Sequence, residues 1–314
     1  MQDELFKTFF NHFVVRKPFL EFFPRGEFNT YDAFVTATGE CLKSEPRTRV
    51  LCLERRRPDT EKPERFIVKE YYYPWLPRIR TWLRHAKAEH EFRNLLEVTR
   101  LGLLAAEPVA FGTRRTLSGH VRSCFIVTRY VENSLTLEQW TEEGQQLGMS
   151  QAELNRSICR ALGQIFRTLH LAHFFLFAAK PRNILLRPTA DYPEIVFIDL
   201  PYALHITMWP FARSAQALDL AVLLGNLPRQ LLGERANFYK AYLPDPLGGC
   251  VIDLHLRLAR AIRWRRNETP VSSLVHSIRR ASKKWACQQR KRAASLRAGL
   301  KSLLALFELS QSQS

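Results

Sequence analysis

The sequence lacks several features that would assign it to a familiar class of protein. No uninterrupted run of 18 apolar residues occurs in the 314-residue chain, so we predict no transmembrane helix. The six cysteines include no CxxC pair and no cluster with histidine at metal-ligand spacing, which predicts reduced thiols and no zinc site. The N-terminus, MQDELFKTFF, has two acids before any apolar run and therefore lacks the basic region of a signal peptide. We expect a cytoplasmic protein.

Acidic residues are scarce relative to basic ones, especially towards the C-terminus. The chain has 47 Lys and Arg against 30 Asp and Glu, a formal net charge of +17. Residues 257–301 alone contain 14 Lys or Arg and one acid, Glu268, with apolar residues recurring among the charges. This pattern predicts a basic, partly amphipathic helical extension over residues 256–314.

The basic extension has three interpretations that the sequence leaves open. It is a solvated helical face, a surface for an anionic partner such as the inner leaflet of a membrane, or a nucleic-acid contact. Each Lys or Arg near an anionic bilayer contributes about 1 kcal/mol, and no known nucleic-acid-binding module accompanies the extension. We therefore favour peripheral attachment to the inner membrane and consider nucleic acid the weaker alternative.

The order of periodic segments predicts an α+β fold. Four phenylalanines within residues 6–13 fall at helical spacing, so we expect a short amphipathic helix in a separate N-terminal segment, residues 1–27. Strand-like runs and one helix that ends at Gly102 occupy 28–132, a sheet-rich lobe. Helices dominate 133–255, interrupted by the short strand-like runs NILL and EIVFID. The chain is thus predicted to have two lobes, the second mainly helical.

Several residues occur in the order that a kinase-type phosphoryl-transfer site requires. Such a site needs a strand lysine for the nucleotide phosphates, a helical glutamate to orient it, and an Asn and an Asp for Mg²⁺. Lys69 lies in the strand-like run FIVKEY, and Glu91 lies 22 residues later on the predicted helix, with Glu89 as its rival. Asn183 precedes one predicted strand, and Asp199 follows the next.

These motifs resemble the lipopolysaccharide kinase family, whose members phosphorylate heptose or Kdo sugars on a protein-kinase-like fold. The similarity extends from about Arg65 to Tyr242 and includes KAEHEFRNLLEVTRLGLLAAEPVAFG, FIVTRYVENSLTLEQW, KPRNILL, VFIDL and ALDLAVLL. The resemblance implies a small sheet-rich lobe, a larger helical lobe and ATP between them. It further implies that Lys69, Glu91 and Lys180 bind the nucleotide and that Asn183 and Asp199 bind Mg²⁺.

The sequence departs from the family pattern at the position of the catalytic aspartate. Counting back from Asn183, the family's His-Arg-Asp-Leu-Lys falls on LFAAK, residues 176–180, so that Ala178 occupies the aspartate position. No carboxylate is adjacent, and the nearby histidines, His170 and His173, are expected to be structural. The phosphate-covering loop is also poor in glycine, since Gly39 is the only one between residues 34 and 55.

Three functions remain compatible with these observations. The first is a pseudokinase that retains ATP binding and acts as a regulator or scaffold at the membrane, with a partner protein as one option. The second is an active kinase for a lipopolysaccharide core sugar, with a relocated general base. The third is a basic binding protein with a vestigial nucleotide pocket. A further buried acid, Asp219, is expected to hold the catalytic loop through backbone amides.

Overall fold

The computed structural model describes residues 4–7, 11–23, 27–28, 30–57, 60, 62–74, 85–143, 150–189, 192–208 and 211–243. All of them belong to one compact unit, Met1–Leu258. The predicted basic extension over 256–314 lies outside the described residues. No helix in the described part of the chain is long and apolar enough to span a membrane.

An antiparallel sheet of seven strands forms the first lobe, in the order β1-β2-β6-β7-β5-β4-β3. Its strands are β1 (Glu4–Lys7), β2 (Asn11–Val15), β3 (Glu40–Glu45), β4 (Thr48–Arg55), β5 (Glu64–Tyr72), β6 (Pro108–Arg115) and β7 (Val121–Arg129). The amphipathic helix predicted near the N-terminus is wrong, because β1 and β2 form an antiparallel pair at the sheet edge. Phe6 and Phe13 are opposite each other in that pair. The spacing of the phenylalanines, which resembles one face of a helix, is therefore also compatible with two paired strands.

One face of the sheet is covered by an aromatic cluster. A short helix, α1 (Tyr31–Val35), begins at Thr30, whose side chain accepts a hydrogen bond from the Ala33 amide. Phe34 stacks on Phe125 of β7 with a centroid distance of 4.8 Å. The other members of this cluster include Phe13, Phe19, Phe22, Phe23, Phe28 and Phe66. The described residues between 13 and 23 therefore pack on the sheet of the first lobe.

The other face of the sheet is covered by α2 (Lys87–Arg100). Its buried residues Phe92, Leu95 and Val98 share a core with Phe111 of β6 and Ile126 of β7. The chain leaves the helix through Gly102, which adopts a φ of +76°, a conformation that favours glycine. This is the helix and the stop that the sequence predicts.

The second lobe is mainly helical in the described residues. Its helices are α3 (Leu137–Glu143), α4 (Gln151–Leu171), α5 (Phe211–Asn226) and α6 (Arg235–Tyr242), and its short strands are β8 (Leu135–Thr136), β9 (Phe174–Phe175), β10 (Ile184–Arg187), β11 (Glu194–Phe197) and β12 (Leu204–His205). A capping box between Ser150 and Glu153 begins α4. The predicted strands NILL and EIVFID are confirmed as the antiparallel pair β10 and β11. Backbone hydrogen bonds from the Phe197 amide to the Leu104 carbonyl, and from the Ala106 amide to the Phe197 carbonyl, join the two lobes.

Candidate functional site

Three charged side chains from separate elements meet between the lobes. Lys69 lies on β5, Glu91 on α2, and Asp199 directly after β11. The Lys69 Nζ is 2.5 Å from Asp199 Oδ1 and 3.7 Å from Glu91 Oε1. Glu89, the rival candidate, instead contacts Arg93 at 2.6 Å and His85 at 2.9 Å. The structure therefore joins Lys69, Glu91 and Asp199 in one cluster and excludes Glu89 from it.

Lys69 and Asp199 support each other's charge in a partly desolvated position. Burial disfavours the charged form of Lys69, but the carboxylates of Glu91 and Asp199 outweigh burial and raise its pKa. Burial likewise opposes ionisation of Asp199, yet Lys69, and after it Lys87, lower the pKa of this carboxyl group. Burial raises the pKa of Glu91 despite the opposing effect of Lys69. At neutral pH the lysine ammonium is thus held beside an ionised Asp199.

Asn183 and Lys180 lie on the loop that leads into β10. The Asn183 side-chain amide donates to the Ala178 carbonyl at 3.1 Å, which leaves its side-chain oxygen as the group for another partner. The backbone carbonyl of Asn183 accepts from the Ile198 amide at 3.0 Å, next to Asp199. Lys180 is half-buried, and burial together with the nearby Arg182 lowers its pKa. These two residues border the charged cluster but make no direct contact with it in the structure.

The loop around Ala178 keeps an ordered and unusual backbone although it lacks the carboxylate. Phe177 adopts a φ of +54°, an uncommon conformation for a bulky residue. The predicted role of Asp219 is confirmed, because its carboxylate accepts hydrogen bonds from the amides of Leu176 at 2.7 Å and Phe177 at 2.8 Å. Asp219 is fully buried. The fold thus fixes the catalytic-loop geometry at a position where the side chain is only a methyl group.

The two histidines near position 178 lie in different environments. His170 is buried and contacts Asp219 at 3.2 Å and the Tyr242 hydroxyl at 2.6 Å, so both ring nitrogens have partners away from the cluster. His173 adopts a φ of +56° and is exposed. Its carbonyl accepts from the Ile206 amide at 2.9 Å, next to the β9–β12 pair. The expected structural role of His170 agrees with its contacts, and that of His173 stays a prediction, because the contact of His173 is made by its backbone.

The loop that would cover the nucleotide phosphates is a tight turn. Strands β3 and β4 are joined by Pro46 and Arg47 alone, with neither residue a glycine. The Arg47 carbonyl accepts from the Tyr72 amide at 3.0 Å, which fastens the turn to β5. A turn of this kind offers few free backbone amides, and proline has none. The turn is therefore poorly supplied with amide donors for an anion.

The connection between the lobes is anchored to the strand that carries Lys69. The Tyr130 amide donates to the Arg65 carbonyl at 2.8 Å, and the Arg65 guanidinium lies 4.2 Å from the centre of the Tyr130 ring. Arg65 also makes a two-pronged ion pair with Glu132. The position of β5, and with it the position of Lys69, is therefore tied to the hinge-like segment.

A strand lysine paired with a helical glutamate, and an aspartate facing them from a second lobe, is the arrangement of kinase-like folds. Over residues 73–242, more than half of its length, the chain matches the family described as "Lipopolysaccharide kinase (Kdo/WaaP) family". The chain belongs to this family. The solved structure "WaaP in complex with acyl carrier protein" matches with a TM-score of 0.55 and 19% identity, covering 79% of this chain and 98% of that one. At that identity the likeness shows the fold alone.

The predicted family and the predicted α+β, kinase-like fold are confirmed by these two matches. The protein is therefore of the kinase type in family and fold. Comparison with curated protein sequences gives no match. The nucleotide and metal roles of individual residues stay predictions.

The side-chain oxygens of Asp199 and Asn183 in this lipopolysaccharide kinase family member suit Mg²⁺ when phosphates supply the remaining ligands. The described residues contain no group of three or more His, Cys, Asp or Glu side chains placed to enclose a metal. Mg²⁺ at nucleotide sites, however, is usually held by one or two carboxylates together with phosphates and water. Asp199 supplies such a carboxylate, and Asn183 keeps a free side-chain oxygen on the adjoining loop. The residues fit the ion when phosphates complete its coordination.

Sequence reasoning missed three residues that surround the charged cluster. Lys87 begins α2, and its Nζ lies 4.1 Å from the ring centre of Tyr71 on β5 and 5.3 Å from that of Tyr202. The Tyr71 hydroxyl donates to Glu91 Oε2 at 2.6 Å. Spacing could have pointed to two of them, because Tyr71 follows Lys69 by two positions on a strand and Lys87 precedes Glu91 by four on a helix. Nothing in the sequence pattern singles out Tyr202.

Proposed function

We propose that this family member is a pseudokinase that binds ATP between its lobes and acts as a regulator or scaffold rather than as an efficient phosphotransferase. One observation supports this most: the Lys69, Glu91 and Asp199 cluster is complete, whereas Ala178 stands at the base position and the neighbouring Asp219 carboxylate is occupied by the amides of Leu176 and Phe177. A general base contributes about 100- to 10,000-fold to rate. Binding and positioning of the nucleotide do not need that group.

In this proposal each residue has a defined task. Lys69, oriented by Glu91, binds the nucleotide phosphates, and Lys180 approaches them from the second lobe. Asn183 and Asp199 hold Mg²⁺, which when bound neutralises phosphate charge. Asp219 acts only on the loop, since its carboxylate is occupied by backbone amides and His170.

The proposal is tested by the thermal unfolding of the full chain with and without ATP and Mg²⁺. A ligand at 100 times its Kd stabilises a folded protein by about 2.7 kcal/mol, which gives a measurable rise in Tm. We expect Lys69→Met to lose this rise, because the variant removes the ammonium that faces the cleft. The control is Lys240→Met, which removes an exposed lysine on α6. A shift of equal size in wild type and Lys69→Met would contradict nucleotide binding at this site.

The alternative is an active kinase for a sugar of the lipopolysaccharide core, as the family name suggests. The two are separated by measuring phosphate transfer from ATP to lipopolysaccharide core acceptors. Turnover that disappears in Asp199→Asn would favour the active kinase. Absence of turnover alongside measurable ATP binding favours the pseudokinase.

Partners are proposed from charge and from the solved neighbour. The net charge of +17 suits an anionic membrane surface or the phosphates of a lipid A core glycolipid. The neighbouring structure contains acyl carrier protein, and a protein partner of that kind is therefore included in the proposal. Co-purification with acyl carrier protein tests the second partner.

A further inference from the structure

Lys87 differs from the other charged side chains of the cluster in the kind of group that faces its ammonium. In the described part of the chain no carboxylate lies within ion-pairing distance of its ammonium, whereas Lys69 has two such neighbours. The Lys87 Nζ instead lies near the rings of Tyr71, from the first lobe, and Tyr202, from the second. Because Tyr71 and Tyr202 belong to different lobes, the Lys87 ammonium lies in the cleft between the lobes.

The surroundings of Lys87 are those of a group prepared for an anion. Burial lowers the pKa of Lys87, and Lys69 adds to that effect while Asp199 opposes it. The two tyrosine rings offer partial compensation through cation–π attraction. A partly desolvated charge that lacks a carboxylate partner costs stability in the free protein, and an anionic ligand would recover that cost.

The cluster also carries more positive than negative charge. Three lysines, Lys69, Lys87 and Lys180, influence Asp199, against the two carboxylates of Asp199 and Glu91. The β3–β4 turn has no glycine and begins with proline, so backbone amides contribute little to phosphate binding there. An anion that enters the cleft must therefore meet lysine side chains.

We propose that Lys87 is a phosphate-binding residue of this cleft, which acts with Lys69 on the polyphosphate of a nucleotide and makes nucleotide binding only weakly dependent on Mg²⁺. This inference rests on the proposed ATP binding and adds a residue and a metal dependence to it. Lys87, at the start of α2, gives the phosphates a positive charge that would otherwise come from a divalent cation.

Isothermal titration of the full-length protein tests the inference, with ATP as the ligand in Mg²⁺ and in excess EDTA. For wild type we expect EDTA to weaken binding by less than about tenfold. For Lys87→Met we expect binding in EDTA to weaken by a further tenfold or more, because a charge-assisted hydrogen bond is lost. Lys87→Arg keeps the charge and should retain binding in EDTA, and Lys240→Met serves as the matched control. Adenosine, which has no phosphate, should bind all variants equally.

The outcomes separate this inference from the proposed function. If wild type binds ATP but Lys87→Met binds equally well in EDTA, the inference is wrong and the nucleotide site stands. If wild-type binding disappears in EDTA, the weak metal dependence is wrong. If wild type binds neither ATP nor inorganic tripolyphosphate, both proposals fail. Thermal unfolding without ligand checks the fold of Lys87→Met, and we expect no loss of stability, because the lowered pKa of Lys87 means that its charge is a cost at neutral pH.

Discussion

Ala178 lies in a loop whose backbone is well ordered but whose side chain at this position has no carboxylate. The side chain is a buried methyl group, yet its carbonyl accepts hydrogen bonds from the Asn183 side chain at 3.1 Å and the Lys180 amide at 2.7 Å. Phe177 before it is held with a positive φ by Asp219. The backbone on both sides of position 178 is thus held in place by hydrogen bonds.

Restoring the carboxylate should therefore restore part of the chemistry. For Ala178→Asp we expect ATP turnover at least about a hundredfold above wild type, since this is the lower end of what a positioned base contributes. The measurement is phosphate release or transfer with Mg²⁺ present. Ala178→Asn is the matched control, because it has the same shape without a base. Equal rates in the two variants would show that the loop does not present position 178 to the acceptor.

At the scale of elements, the loop of residues 176–178 depends on α5 through a single carboxylate. Asp219 on that helix is fully buried, and it accepts from two amides of the loop and contacts His170 on α4. Three segments that are distant in sequence are therefore joined at one side chain. Removal of such a group leaves buried donors without acceptors.

Asp219→Ala should accordingly be among the most destabilising single changes in the chain. Each unsatisfied buried amide costs about 1–3 kcal/mol, so we expect a loss of about 2–5 kcal/mol in the free energy of unfolding. Urea unfolding followed by circular dichroism measures it. Glu40→Ala, which removes an exposed carboxylate on β3, should change stability by less than about 0.5 kcal/mol. A similarly small change for Asp219→Ala would mean that the loop amides find other acceptors.

The elements also show what the sequence could and could not predict. Lys69 and Glu91 were identifiable because an alternating strand and a helix of period 3.6 define which side chains share a face. The same reasoning wrongly predicted a helix from the N-terminal phenylalanines. Their spacing fits a helix, but in the structure Phe6 lies opposite Phe13 in an antiparallel pair of strands. Lys87 was missed although its spacing from Glu91 puts both on one helical face, because only the tertiary fold brings Tyr71 and Tyr202 beside it.

At the scale of the whole molecule, charge is concentrated in one part of the chain. Residues 257–301 have a net charge of +13 from 14 basic residues and one acid, out of +17 in total. The nucleotide cleft alone would not require such an excess of positive charge. An anionic surface as partner would account for it, and under the proposed scaffold role that surface would be the membrane.

This proposal predicts that the basic segment governs binding to vesicles that contain anionic lipid. Replacing Lys283, Lys284, Arg290, Lys291 and Arg292 by Gln removes five charges, each worth about 1 kcal/mol at an anionic bilayer, so vesicle binding should fall by at least about a hundredfold. The matched control replaces five exposed basic residues of the second lobe by Gln: Arg156, Arg160, Arg167, Arg229 and Lys240. Sedimentation with vesicles, repeated at rising salt, measures both, since screening should weaken an electrostatic attachment.

Equal losses in the two variants would show that general charge, and not this segment, attracts the protein. Retained vesicle binding with lost binding to single-stranded RNA would instead favour nucleic acid as the partner.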